Sequence, residues 1–153
     1  MLYLGLGCDS GFGHRLALRL NQMEFKVYAT VLSSSSFGAQ ELTKNAVFSD
    51  KMTVLQMNIT NDNEVNGVYQ TVRNDLQNTG YELWAVVNNA GILKPGLAEW
   101  GTLDSNYHDQ FEVNVFGAVR VTRVFLPLIR ASKGIKHLFE KTTEFFDFQH
   151  KVE

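Results

Sequence analysis

Cysteine is nearly absent from this sequence of 153 residues: Cys8 stands alone. No intrachain disulfide can form, and neither a paired-thiol metal motif nor a disulfide-exchange motif can be built from one thiol. Lysine and arginine form no run and the formal net charge is -2, so the electrostatic footprint of a nucleic-acid partner is missing. No apolar stretch approaches the ~18 residues of a membrane-spanning helix, and no basic segment followed by an apolar one opens the chain. The chain as it stands is expected to be soluble, with its compartment unknown. Repeats are absent, and the only low-complexity tract is Ser33-Ser34-Ser35-Ser36, too short for a linker. At 44% hydrophobic and 20% charged residues, the composition fits one globular domain and excludes a disordered or fibrous chain.

What is present is an alternation of strand and helix patterns. Met1-Leu2-Tyr3-Leu4 is apolar, Gly7-Cys8-Asp9-Ser10-Gly11-Phe12-Gly13 is a glycine turn, and Leu16, Ala17, Leu20 and Met23 then recur at helical spacing. Lys26 to Leu32 is a nearly continuous β-branched run, the pattern of a strand covered on both faces in a parallel sheet. The four serines make a loop, and a brief helix is expected over Ala39 to Lys44, followed by a third strand from Thr53 to Met57. Asn61 to Glu64 cap a helix whose stripe is Val65, Val68, Tyr69, Val72 and Leu76. A fourth strand, Leu83 to Val87, ends in Asn88-Asn89-Ala90-Gly91. A long helix is expected from about Thr102 to Ser105, running through Tyr107, Phe111, Val115, Ala118, Val121, Thr122 and Phe125 to near Pro127. Asn114 is expected on the face of Phe111 and Ala118. The implied fold class is α/β, a doubly wound, mostly parallel sheet of about four strands with flanking helices.

The glycine turn can hold a pyrophosphate, because the unpaired N–H groups and the positive end of a helix macrodipole point at an anion placed there. A tight strand-to-helix turn without a ligand is the alternative. The spacing Gly-x-x-x-Gly-x-Gly differs from the common Gly-x-Gly-x-x-Gly fingerprint.

With Asn88-Asn89-Ala90-Gly91 at a fixed distance behind that turn and Asn114 behind both, the chain from about Leu4 to Gly134 resembles the short-chain dehydrogenase/reductase family and its incomplete Rossmann sheet. Together with Ile92 and Leu126-Pro127, the text resembles the branch that acts on retinoids and hydroxysteroids. The resemblance implies a cofactor site of Gly7, Ser10, Gly11, Phe12 and Gly13 under the pyrophosphate, Ser33 at the ribose, and Asn58 and Ile59 at the adenine edge. Asn89, Ala90 and Gly91 would close the adenosine side. The family threonine before the first glycine is replaced by Leu6, so a hydroxyl that braces the turn is absent. An acid after the second strand marks NAD and a base marks NADP; here Leu32 is followed by Ser33, and the lack of a base leans slightly to NAD over NADP. The implied partners are the dinucleotide, an apolar alcohol or ketone, and a second copy docked through the helix carrying Asn114. Relatives are often attached to intracellular membranes.

The resemblance also implies a catalytic serine, a Tyr-x-x-x-Lys pair and an asparagine, and here only Asn114 has a counterpart. Four residues after Tyr3, Tyr28, Tyr69, Tyr81 and Tyr107 stand Gly7, Leu32, Arg73, Ala85 and Phe111. The lysine lowers the pKa of a tyrosine whose ordinary value is ~10, so without the pair no acid-base group is tuned to the substrate oxygen. Beyond Gly134 the aliphatic pattern gives way to aromatic and charged residues, so 1–134 is expected to be the dinucleotide-binding part and 135–153 a divergent tail. His137 and His150 have no partner at metal-binding spacing. The tail is expected either to cover the open edge of the fourth strand or to leave it unpaired, as in a truncated product. The alternatives to an enzyme are a non-catalytic dinucleotide-binding or interaction protein and a fragment of a longer enzyme. The purified 153-residue chain is expected to show no NAD(P)-linked oxidation of retinol or a hydroxysteroid; measurable turnover would refute this.

Overall fold

The computed structural model describes residues 1–94, 107–132 and, as backbone, 137–140. Its strands are β1 (Leu2–Gly5), β2 (Lys26–Val31), β3 (Met52–Gln56), β4 (Leu83–Asn88) and β5 (His137–Glu140). They form one sheet in the order β3-β2-β1-β4-β5, with every neighbouring pair parallel. The helices are α1 (Gly11–Gln22), α2 (Phe37–Asn45), α3 (Asp62–Thr79), a single turn α4 (Asp109–Phe111), a π-helical segment Glu112–Gly117, and α5 (Ala118–Ala131).

Alternation along the strands divides the core into two layers. Val27, Ala29 and Val31 of β2 pack with Ala17 of α1 and Ala39 and Leu42 of α2. Leu2 and Leu4 of β1, with Tyr28 and Val86, pack instead with Val65, Val68 and Val72 of α3 and Val121, Phe125 and Ile129 of α5. Both faces of the sheet are therefore dry, which is why its strands read as continuous apolar runs. Tyr69, from the α3 stripe, stacks edge-on against Phe125 with ring centroids 5.6 Å apart.

Helix ends explain the boundaries. Asn61 Oδ1 accepts from the N–H groups of Asn63 and Glu64 at 3.0 and 3.3 Å, and Glu64 reaches back to Asn61 Nδ2 at 3.1 Å, a reciprocal cap. Gly80 stops α3 in the left-handed region, φ 70°, with its N–H on Leu76 O.

Two expectations change. The stripe through Phe111 and Val115 is not a core stripe: these residues are 54% and 42% exposed, whereas Ala118, Val121 and Phe125 are buried. The segment Glu112–Gly117 between them is π-helical, with about one more residue per turn than an α-helix, so a stripe counted at α-helical spacing does not carry through it. Asn114 accordingly does not share one face with both Phe111 and Ala118.

The sheet also has a fifth strand beyond the four expected. Ala85, Val86, Val87 and Asn88 pair in parallel with His137, Leu138, Phe139 and Glu140, so β4 lies between two strands. Part of the expected tail thus covers the edge that would otherwise be open. The expected helix start near 102–105 and the residues His150, Phe145, Phe146 and Phe148 lie outside the described residues.

Phe125 is fully buried between α3 and the sheet, so Phe125→Ala is expected to lower the unfolding free energy by about 3–5 kcal/mol, measured from urea midpoints. Leu138 is paired with Val86, so Leu138→Pro is expected to disturb β5 and speed amide exchange at Val86 and Val87 by roughly tenfold or more. Unchanged exchange would show that β5 does not protect β4.

Candidate functional site

The order β2-β1-β4 places a change of direction between β1 and β4, and ligands of open α/β sheets bind outside the carboxyl ends of the strands at such a point. The glycine turn leaves β1 here. Gly7 has φ +64°, and a Cβ on it would stand 2.7 Å from Ala90 Cα. A Cβ on Gly13 would collide with the Asn89 amide and with Gly7 O. The two chain ends that form the crevice therefore touch backbone to backbone, and only glycine fits.

Asn89 locks them together. Its Nδ2 donates to Leu6 O at 3.1 Å and to Gly7 O at 3.0 Å. Leu6 itself is fully buried, and the turn is braced by the amide of the residue that follows β4 in place of the absent hydroxyl.

Above this contact the turn is open. Gly11 has φ +63° and, among the described residues, nothing lies within 4 Å of where its Cβ would be, and Ser10 and Phe12 are exposed. Ser10 is the N-cap of α1, but its side chain makes no capping bond, and the first turn holds no acid. By contrast Ser36 caps α2 and Asn61 caps α3. No capping bond from Ser10 and no first-turn acid therefore offset the positive end of the α1 dipole, the arrangement that suits an anion.

Cys8 is not a nucleophile. It is 1% exposed, its N–H donates to Thr30 O at 2.8 Å, and burial, reinforced by the charge of Asp9, pushes its thiol up to about 12.

Asn114 lies in the π-helical segment, where its Oδ1 accepts from Ile92 N and its Nδ2 donates to Ile92 O, both at 2.8 Å. A Cβ on Gly91 would stand 3.2 Å from Asn114 Oδ1. One side chain thus holds both polar groups of the residue after Gly91. Asn88 Nδ2 donates to Thr122 Oγ1 at 3.1 Å, tying β4 to α5.

The remaining sequence-derived residues sit differently. Ser33 follows β2 and shares a hydroxyl contact with Ser35 at 2.9 Å. The amide oxygen of Asn58 is turned onto Thr60, accepting from its N–H at 3.0 Å and its hydroxyl at 2.9 Å. Ile59 is 6% exposed and packs on Gly117, while its carbonyl accepts from Arg120 Nη1 at 2.9 Å. The structure thus ties Asn58 and Ile59 to their own turn and to the π-helical segment. Sequence reasoning missed Asp9, whose carboxylate lies against Leu32 and Ser36. Its one signal was an acid inside the glycine turn of a chain with none after its second strand. No group of three or more His, Cys, Asp or Glu able to hold a metal occurs among the described residues.

Residues 3–135 match the family model described as short chain dehydrogenase. The chain is 46% identical over 128 residues to estradiol 17-beta-dehydrogenase 2 of Rattus norvegicus, covering 84% of this chain and 32% of that protein. It is 38% identical over 128 residues to 11-beta-hydroxysteroid dehydrogenase type 2 of Homo sapiens, covering 84% and 31%. It spans about a third of the length of these relatives. The fold is that of NADPH bound carbonyl reductase from chicken fatty liver, with a TM-score of 0.75 at 23% identity over 84% of this chain and 48% of that one. A glycine crevice at the sheet's switch point, in a chain matched from β1 to beyond α5, leads to one conclusion: the protein belongs to the short-chain dehydrogenase family.

Proposed function

We propose that this chain is the nucleotide-holding part of an NAD(P)-dependent oxidoreductase acting on an apolar alcohol or ketone of the hydroxysteroid or retinoid type. The observation that carries it is the start of α1, where the N-cap Ser10 makes no capping bond and, among the described residues, nothing lies within 4 Å of a Cβ placed on Gly11, while α2 and α3 are capped. Names of relatives such as estradiol 17-beta-dehydrogenase 2 support the substrate class, and the NADPH bound carbonyl reductase supports a nicotinamide cofactor.

In this reading the N–H groups of Gly11, Phe12 and Gly13 receive the pyrophosphate, with Gly7 and Ser10 shaping the turn. Ser33 lies toward the ribose at the end of β2. Asn58 and Ile59 follow β3 on the adenine side, where the Asn58 oxygen is engaged by Thr60 and Ile59 is buried, so their part is to shape that turn. Asn89, Ala90 and Gly91 form the wall, and Asn114 positions that wall through Ile92. The nicotinamide, when bound, supplies or receives the hydride. The chain contributes no Tyr-x-x-x-Lys pair, so in this reading residues 1–134 bind without turning over and 135–153 stand outside the family pattern. A second copy would dock on the face around the Asn114 helix, where Phe111, Val115, Phe116 and Val119 are 42–54% exposed.

Ser10→Asp separates folding from binding. An aspartate there caps α1 and adds stability, on the order of 0.5–1 kcal/mol, yet places a negative charge where the pyrophosphate would sit. The expected result is an equal or higher Tm together with at least tenfold weaker dinucleotide binding in equilibrium dialysis. No saturable binding of NAD or NADP by the unmodified chain, or unchanged affinity in Ser10→Asp, would overturn the proposal.

A further inference from the structure

The acid missing after β2 is supplied from the glycine turn. In a dinucleotide fold the residue that meets the adenosine ribose lies about 20 residues beyond the glycine fingerprint, which in this chain falls at Leu32 and Ser33. Asp9 reaches that point from the other direction. Its Oδ2 and Oδ1 face the Leu32 N–H at 3.0 and 3.3 Å, and Oδ1 also accepts from Ser36 Oγ at 3.3 Å.

The carboxylate is held in place. Ser36 Oγ accepts from Ala39 N at 3.1 Å to cap α2, and a Cβ on Gly38 would collide with the backbone carbonyl of Asp9. Glycine turn, β2 end and α2 start thus form one packed unit that fixes the charge. Among the described residues no lysine or arginine forms an ion pair with Asp9, and the stretch from Leu32 to Ser36 contains no basic residue.

We propose that Asp9 sets the preference of this site for NAD over NADP, a step that rests on the dinucleotide reading above. The extra phosphate of NADP brings a charge of about −1.5 to −2 to the ribose. A fixed, unneutralised carboxylate at the end of β2 repels that phosphate and leaves the free ribose hydroxyls of NAD an acceptor.

The test is fluorescence titration of the 153-residue chain and of Asp9→Asn and Asp9→Glu with NAD and with NADP. Asparagine keeps an oxygen for the Leu32 N–H and removes the charge, whereas glutamate keeps the charge. The unmodified chain is expected to favour NAD by about tenfold or more. Asp9→Asn is expected to lose most of that preference through tighter NADP binding, while Asp9→Glu retains it. Equal ratios in the unmodified chain and Asp9→Asn, or an unmodified chain that prefers NADP, would overturn the role of Asp9 and leave the dinucleotide reading standing. Failure of all three proteins to bind either nucleotide would overturn both.

Discussion

The contact on which this half-sheet turns is the one between Asn89 and the end of β1. Two carbonyls, of Leu6 and Gly7, are used up by a single amide, and the space beneath it is closed by Gly13. A carbonyl buried without a donor costs about 1–3 kcal/mol, so the amide does more than decorate the crevice: it allows β1 to end in a turn that faces away from the sheet. That turn in turn lets α1 begin with its N–H groups pointing outward. Remove either glycine and the two strand ends separate; remove the amide and their carbonyls lose their donor.

Much of this was legible in the sequence. Strand and helix order, the α3 cap and stripe, and the glycine and asparagine motifs follow local chemistry, which a linear text carries well. What escaped it depends on distance or on a change of helical period. A stripe counted at 3.6 residues per turn fails across Glu112–Gly117, because π-helical turns are written in the same residues as α-helical ones. β5 escaped because its pairing with β4 is a tertiary fact, and His137-Leu138-Phe139-Glu140 has too little alternation to announce a strand. Asp9 is hidden in the text because it lies far in sequence from the end of β2, and only the turn after β1 brings its carboxylate to Leu32.

The π-helical segment is connected to the crevice as well as to the helix it interrupts. Its Glu112 accepts from Arg120 Nη2 at 3.0 Å, and the same guanidinium reaches Asp62 at 2.7 Å and Ile59 O at 2.9 Å. Asn114 meanwhile grips Ile92. The irregular turn is thus pinned on one side to the β3–α3 corner and on the other to the segment leaving β4. An irregular helix held at both ends costs little to keep and fixes where Asn114 points.

Holding a nucleotide and transforming a substrate are physically separate tasks, with different requirements. The first needs backbone N–H groups, close approach and a fixed dipole, all built from glycine geometry within residues that fold among themselves. The second needs a tyrosine and lysine tuned to each other, and that tuning is a property of a side-chain pair, which no arrangement of the strands described here can supply. The features on which the proposed binding rests, the Asp9 carboxylate at the end of β2, the uncapped start of α1 and the Asn89–Gly91 segment after β4, all lie within the described residues.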